Sequence, residues 1–134
     1  MRSKCNYDEK SKQSLHAAEL LIHSQRYNSS VHCSYYSCMQ KIFQILFVDK
    51  KNDKGKMLSN GRFDRKGSHQ QIFDMISTEF SKSYPADYKW LKRQFIKLKE
   101  LREKADYSDE PIDQEEVYRA LRIAESIITL IRKI

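Results

Sequence analysis

Arg102, Asp106 and Tyr107 are the residues whose types and spacing offer chemistry most directly. At 100° per residue, Leu91, Phe95, Leu98, Leu101 and Ala105 share one face of a helix, and Arg102 projects between Phe95 and Leu98. The other cations of this segment, Lys89, Lys92, Arg93, Lys97, Lys99 and Lys104, fall on the opposite side. A guanidinium turned toward an apolar stripe needs a carboxylate, an anion or a wet cleft, because an unpaired charge there is costly. Asp106, one turn further on, is the expected partner in an intrahelical ion pair. The competing reading is an arginine held ready for phosphate or nucleotide. Both hold at once if the pair lines a cleft.

Other residues offer weaker chemistry. His69 follows Gly67 and Ser68 at a helix entrance, where backbone amides favour anions; a phosphate contact competes with a capping or surface role. Tyr35 and Tyr36 lie on a wide apolar arc, with rings expected to be buried and hydroxyls reaching Arg102 or Asp106. Tyr107 either packs under the following loop or offers its hydroxyl to a ligand. Trp90 and Tyr88, set among lysines, offer base stacking against ordinary packing. The spacings Arg26 to His32 and Arg62 to His69 read as chance in a chain with 25 cations and four histidines. No phosphate-binding glycine loop, zinc spacing, calcium-loop carboxylate cluster or serine elbow is present, so neither metal nor cofactor is expected.

The elements that must position these groups are helices, and no segment reads convincingly as a strand. A first helix runs from about Asp8 to Gln25. Asn28, Ser29 and Ser30 offer caps for a second, which continues to about Asp49 and is apolar over more than half its circumference. Such a helix belongs at the centre of a bundle. Residues 50–67 form a basic flexible loop, with seven cations against two carboxylates from Lys50 to Lys66. Ser68 opens a third helix with Ile72, Phe73, Ile76 and Phe80 on one face, and Pro85 suits the first turn of the fourth. Asp113 to Glu116 resembles a capping box that feeds a fifth, whose packing face is Val117, Leu121, Ala124, Ile128 and Ile131. Burying the four larger of these would contribute up to roughly 6 to 12 kcal/mol before entropy is subtracted. The fold class is thus all-α, a single antiparallel bundle of about five helices over residues 1–134.

Three Gly and two Pro leave few break points in a chain of 134 residues. A net charge of +7 suits a polyanion partner. Cys5, Cys33 and Cys38 are odd in number and lack metal or disulfide spacing, which points to free thiols in a reducing compartment. With no long apolar run, a cytoplasmic location away from membranes is expected.

The order of these motifs resembles the HEPN domain family, in its small prokaryotic branch. The match covers nearly the whole chain: Ala17-Ala18-Glu19-Leu20-Leu21 in the opening helix, the link Gln25-Arg26-Tyr27-Asn28, and Tyr35-Tyr36 in the second helix. It continues with Gly67-Ser68-His69 at the third, and with Leu101-Arg102, Ala105-Asp106-Tyr107 closing the fourth. The resemblance implies a homodimer with the signature arginines at a shared cleft, RNA or nucleotide as ligand, and often a neighbouring nucleotidyltransferase antitoxin. Its nuclease members carry a small polar residue after the arginine and a histidine four to six positions on. Here Glu103 takes the first place, and Tyr107, Ser108 and Asp109 stand where that histidine is expected. The expectation is an RNA- or nucleotide-binding protein, toxin-like, with weak or absent ribonuclease activity. Arg102 and Asp106 are its candidate catalytic residues, and Arg102, His69, Tyr107 and Tyr36 its candidate ligand contacts. The alternative is a non-catalytic interaction module partnering a nucleotidyltransferase.

Overall fold

The computed structural model describes residues 6–51 and 68–134, which form five α-helices and, among the described residues, no strand. They are α1 (Tyr7–His23), α2 (Tyr27–Phe43), α3 (Ser68–Ser83), α4 (Pro85–Tyr107) and α5 (Gln114–Ile131). The all-α bundle expected from periodicity is therefore the fold. Most of the basic loop expected over 50–67, with Arg62, lies outside the described residues, as does Cys5.

Neighbouring helices run antiparallel, as cross-helix pairs show. Residue numbers rise on α1 as they fall on α2 in Asp8–Lys41 (2.8 Å), Ser11 Oγ to the Ser37 carbonyl (2.7 Å) and the Ala18 carbonyl to Ser30 Oγ (2.8 Å). Phe73 of α3 stacks on Phe95 of α4 with centroids 3.7 Å apart, while Gln70 meets Lys99. Helix α2 touches the other four helices and buries Val31, Tyr35, Cys38, Met39 and Ile42 completely. Its central place follows from its wide apolar arc.

Three helix ends differ from expectation. Helix α1 stops at His23 because Gln25 adopts a left-handed conformation (φ 58°). The Gln25 N–H then donates to the Ile22 carbonyl and the Arg26 N–H to that of Leu21, the paired bonds of a Schellman motif. Helix α2 consequently starts at Tyr27 with no side-chain cap, and Ser30 spends its hydroxyl on α1 instead. At the far end, α2 does not run on uniformly to Asp49. It widens into a π-helical turn over Gln44–Asp49, closed by the Lys50 N–H on the Ile45 carbonyl at 2.9 Å.

The later helices follow the sequence closely. Pro85 sits in the first turn of α4, whose buried residues are Leu91, Phe95, Leu98, Leu101 and Ala105, the stripe given by the periodicity. The α5 capping box is complete: Asp113 accepts from the Glu116 N–H at 2.8 Å, and Glu116 accepts from the Asp113 N–H at 3.1 Å. Glu116 also binds Lys104 at 2.8 Å, tying the last turn of α4 to the first turn of α5. That tie fixes the chain end carrying Arg102.

Candidate functional site

The last turns of α4 lie across the face of α2 that carries His32, Tyr35 and Tyr36. Arg102 Nε stands 3.0 Å from Asp106 Oδ2, as the four-residue spacing leads one to expect. The two side chains are only 15% and 19% exposed. The Nε–H is nevertheless buried without a hydrogen bond, so this contact is an ion pair alone. Arg102 Nη2 donates two long bonds, to the hydroxyls of Tyr36 at 3.5 Å and Tyr107 at 3.4 Å. The guanidinium carbon lies 5.2 Å from the Tyr35 ring centroid, 5.3 Å from that of Tyr107 and 5.9 Å from that of Tyr36. Three electron-rich faces thus surround one cation. Burial works against the charge of Arg102, but Tyr36, Tyr107, Tyr35 and Asp106 more than offset it and hold its pKa above the ordinary value.

Asp106 has a second partner that sequence spacing had assigned to chance. His32 Nδ1 lies 2.9 Å from the same Oδ2, across 74 residues of sequence. Its side chain is 47% exposed rather than sunk in the apolar arc of α2. The His32 ring packs 4.6 Å from that of Tyr36, so His32 and Arg102 are linked through both Asp106 and Tyr36. The available signal was the position of His32 three and four residues before Tyr35 and Tyr36, on the helical face that meets α4.

His69 stands one layer behind this centre. Its Nδ1 is 3.1 Å from the Tyr35 hydroxyl, and its ring lies 5.7 Å from those of both Tyr35 and Tyr36. Burial, with Arg102 and Lys99 adding to it, holds the His69 pKa below its ordinary 6.5. Burial pushes the Tyr35 phenol far up, beyond what Arg102 takes back. Both groups are therefore held in their neutral forms, and the direction of the hydrogen bond between them is set by the His69 tautomer. Tyr107 is 75% exposed and does not pack under the following loop. Trp90 lies elsewhere on α4, at 37% exposure, and Tyr88 is covered by Lys92 rather than by another ring.

The centre is thus a cation fixed by one carboxylate, ringed by phenols and bordered by an accessible imidazole. Among the described residues, no group of three or more His, Cys, Asp or Glu could hold a metal. The described cysteines are free, Cys38 buried and Cys33 half-buried, and burial raises both thiols. No described helix is long and apolar enough to cross a membrane.

An all-helical domain whose fourth helix ends in an inward Arg–Asp pair defines the class. The family model of the HEPN domain matches residues 7–134, and the chain belongs to the HEPN family. That membership makes it a helical module of the nucleotide- and RNA-related kind. No curated protein and no solved structure matches the chain.

Proposed function

We propose that the Arg102 centre binds the phosphate of RNA or of a nucleotide. The observation that carries this reading is the state of the guanidinium. It is largely buried and balanced by one carboxylate that it shares with His32, and its Nη1 has no protein partner among the described residues. A phosphate would fill that donor capacity with charge-assisted bonds. Tyr36 and Tyr107 flank the same position with hydroxyls, and Tyr107 has an open ring face for a base. His69 supports the centre through Tyr35 rather than by touching ligand. The net charge of +7 favours the approach of a polyanion.

On this reading the protein acts as a homodimer and as the toxin-like member of a pair with a nucleotidyltransferase. The Arg102–Asp106 ion pair also suits a second reading, an interaction module in which the pair is structural. Binding of a labelled RNA oligonucleotide by wild type and Arg102→Ala separates the two. A folded variant that loses RNA binding supports the site. A variant that loses stability but binds RNA as before supports the structural pair.

A further inference from the structure

We propose that the outer face of α5 is a docking surface for a second copy of this chain, with the two α5 helices lying antiparallel across a two-fold axis. This face is separate from the Arg102 centre. That centre lies between α4 and α2, so the α5 pairing stands or falls without the phosphate reading.

Glu115, Tyr118, Arg122, Glu125, Thr129 and Arg132 are all exposed and follow one another at alternating spacings of three and four. They form one line along α5, turned away from the residues buried against the bundle. Any exposed helix face carries such a line; the order of the charges distinguishes this one. In the antiparallel register centred between Ile123 and Ala124, Glu115 meets Arg132 of the partner subunit, Arg122 meets the partner's Glu125, and Tyr118 meets the partner's Thr129. The two-fold axis repeats each contact. Every charge of the line thus faces its opposite, and none faces its own sign.

The groups concerned are open to exchange. Arg122, Glu125 and Arg132 have no ion-pair partner among the described residues, and Glu115 has an exposed contact with Arg119 of its own helix at 3.0 Å. Thr129 Oγ1 donates to the Glu125 carbonyl at 2.9 Å, which leaves its methyl group for the partly exposed ring of Tyr118. Two cations and two carboxylates cancel along the line, so it offers a polyanion no net attraction.

The α4 flank supplies an anchor. Half-exposed Trp90 lines, with Glu125, Thr129 and Lys133, a cavity of about 430 Å³. In the same register the partner's Arg119 comes level with Ile128, beside this cavity, whose indole and carboxylate suit a guanidinium. Lys133 does not compete for it, since its ammonium lies over the Tyr84 ring at 5.6 Å. A contact along one helix about 27 Å long is small for a protein interface. Association is therefore weak, and sensitive to concentration and salt.

The test uses the full chain. On one straight helix residues 118 and 129 stand about 16 Å apart, too far for a disulfide within the chain, whereas the proposed register sets each against the other across the axis. Tyr118→Cys combined with Thr129→Cys should give a covalent dimer under mild oxidation. Each single variant should cross-link no more than wild type, whose own thiols set the background. Sedimentation equilibrium at low salt reads the charges: Arg122→Glu should weaken self-association roughly 10-fold or more, and adding Glu125→Arg should restore it. All these positions are exposed, so the fold tolerates the changes. A double cysteine variant that cross-links no more than wild type overturns the proposal, as does a wild type that stays monomeric at every concentration. Self-association that Arg122→Glu leaves unchanged also overturns it, and is the result expected if copies meet only at the Arg102 cleft. Loss of binding to labelled RNA in Arg122→Glu, with self-association as in wild type, overturns it in favour of nucleic acid.

Discussion

His32 and Arg102 meet on a single oxygen, Asp106 Oδ2, at 2.9 and 3.0 Å. One carboxylate therefore fixes a cation on its own helix and an imidazole on the neighbouring one. Local spacing contributes the first contact, and only helix packing brings in the second.

Asp106→Asn removes the only acidic partner, among the described residues, of a guanidinium that is 15% exposed. The loss in stability should be about 1–3 kcal/mol, less than for a fully buried pair because some solvent still reaches both groups. Urea denaturation with an unchanged m-value would verify it. An unaltered midpoint would show that the pair contributes nothing to the fold.

His69 makes stability depend on pH. Its folded-state pKa lies below 6.5, so near 6.5 the unfolded chain binds a proton that the folded one refuses. The stability tied to neutral His69 is complete above pH 6.5 and is lost as pH falls toward the folded-state pKa. Replacing it by Gln, which can still accept from Tyr35, should flatten the fall in denaturation midpoint between neutral and mildly acidic pH. Parallel curves for the two proteins would contradict this.

Gln25 holds a left-handed conformation that costs a side-chain-bearing residue roughly 1–2 kcal/mol. Gly at this position avoids that strain but gives back part of it as unfolded-state entropy. Gln25→Gly should therefore raise stability by about 0.5–1 kcal/mol, seen as a higher thermal midpoint. A fall would mean that the Gln25 side chain contributes more than its backbone costs.

Asp113→Ala removes the N-cap of α5 and frees Glu116 from the box. About 1 kcal/mol should be lost. The pKa of Lys104, raised chiefly by its bond to Glu116, should move back toward its ordinary value, which NMR titration of the lysine side chain would follow. A lysine that titrates as before would show Glu116 still anchored without the box.

The sequence made the Arg102–Asp106 pair legible because both residues lie on one helix, where a four-residue spacing sets distance by itself. The apolar stripe of α4, Pro85 and the Asp113 box are legible for the same reason. Tyr36 was placed correctly by the arc of α2, and its hydroxyl reaches Arg102. The Tyr35 partner of His69 is not legible from spacing, because only the packing of α3 on α2 brings the two together. The His32 contact is not legible locally, since its partner lies 74 residues away and nothing local distinguishes an exposed histidine on a mixed helix. The start of α2 departs from the one that its capping serine and asparagine types suggest, because a left-handed glutamine ends α1 and lets the next helix begin at Tyr27.

Ser30, Ser34, Ser37 and Lys41 form a narrow line along α2 toward α1, and His32, Tyr35 and Tyr36 project from the opposite side of the same cylinder. The bonds from Ser30 to Ala18, Ser11 to Ser37 and Lys41 to Asp8 are directional, unlike an apolar seam that tolerates rolling. They set the azimuth of α2 about its own axis. A roll by one residue would carry His32 about 100° away from Asp106. Helix α1, which supplies none of the site's side chains, thus acts as the clamp that keeps the imidazole aimed.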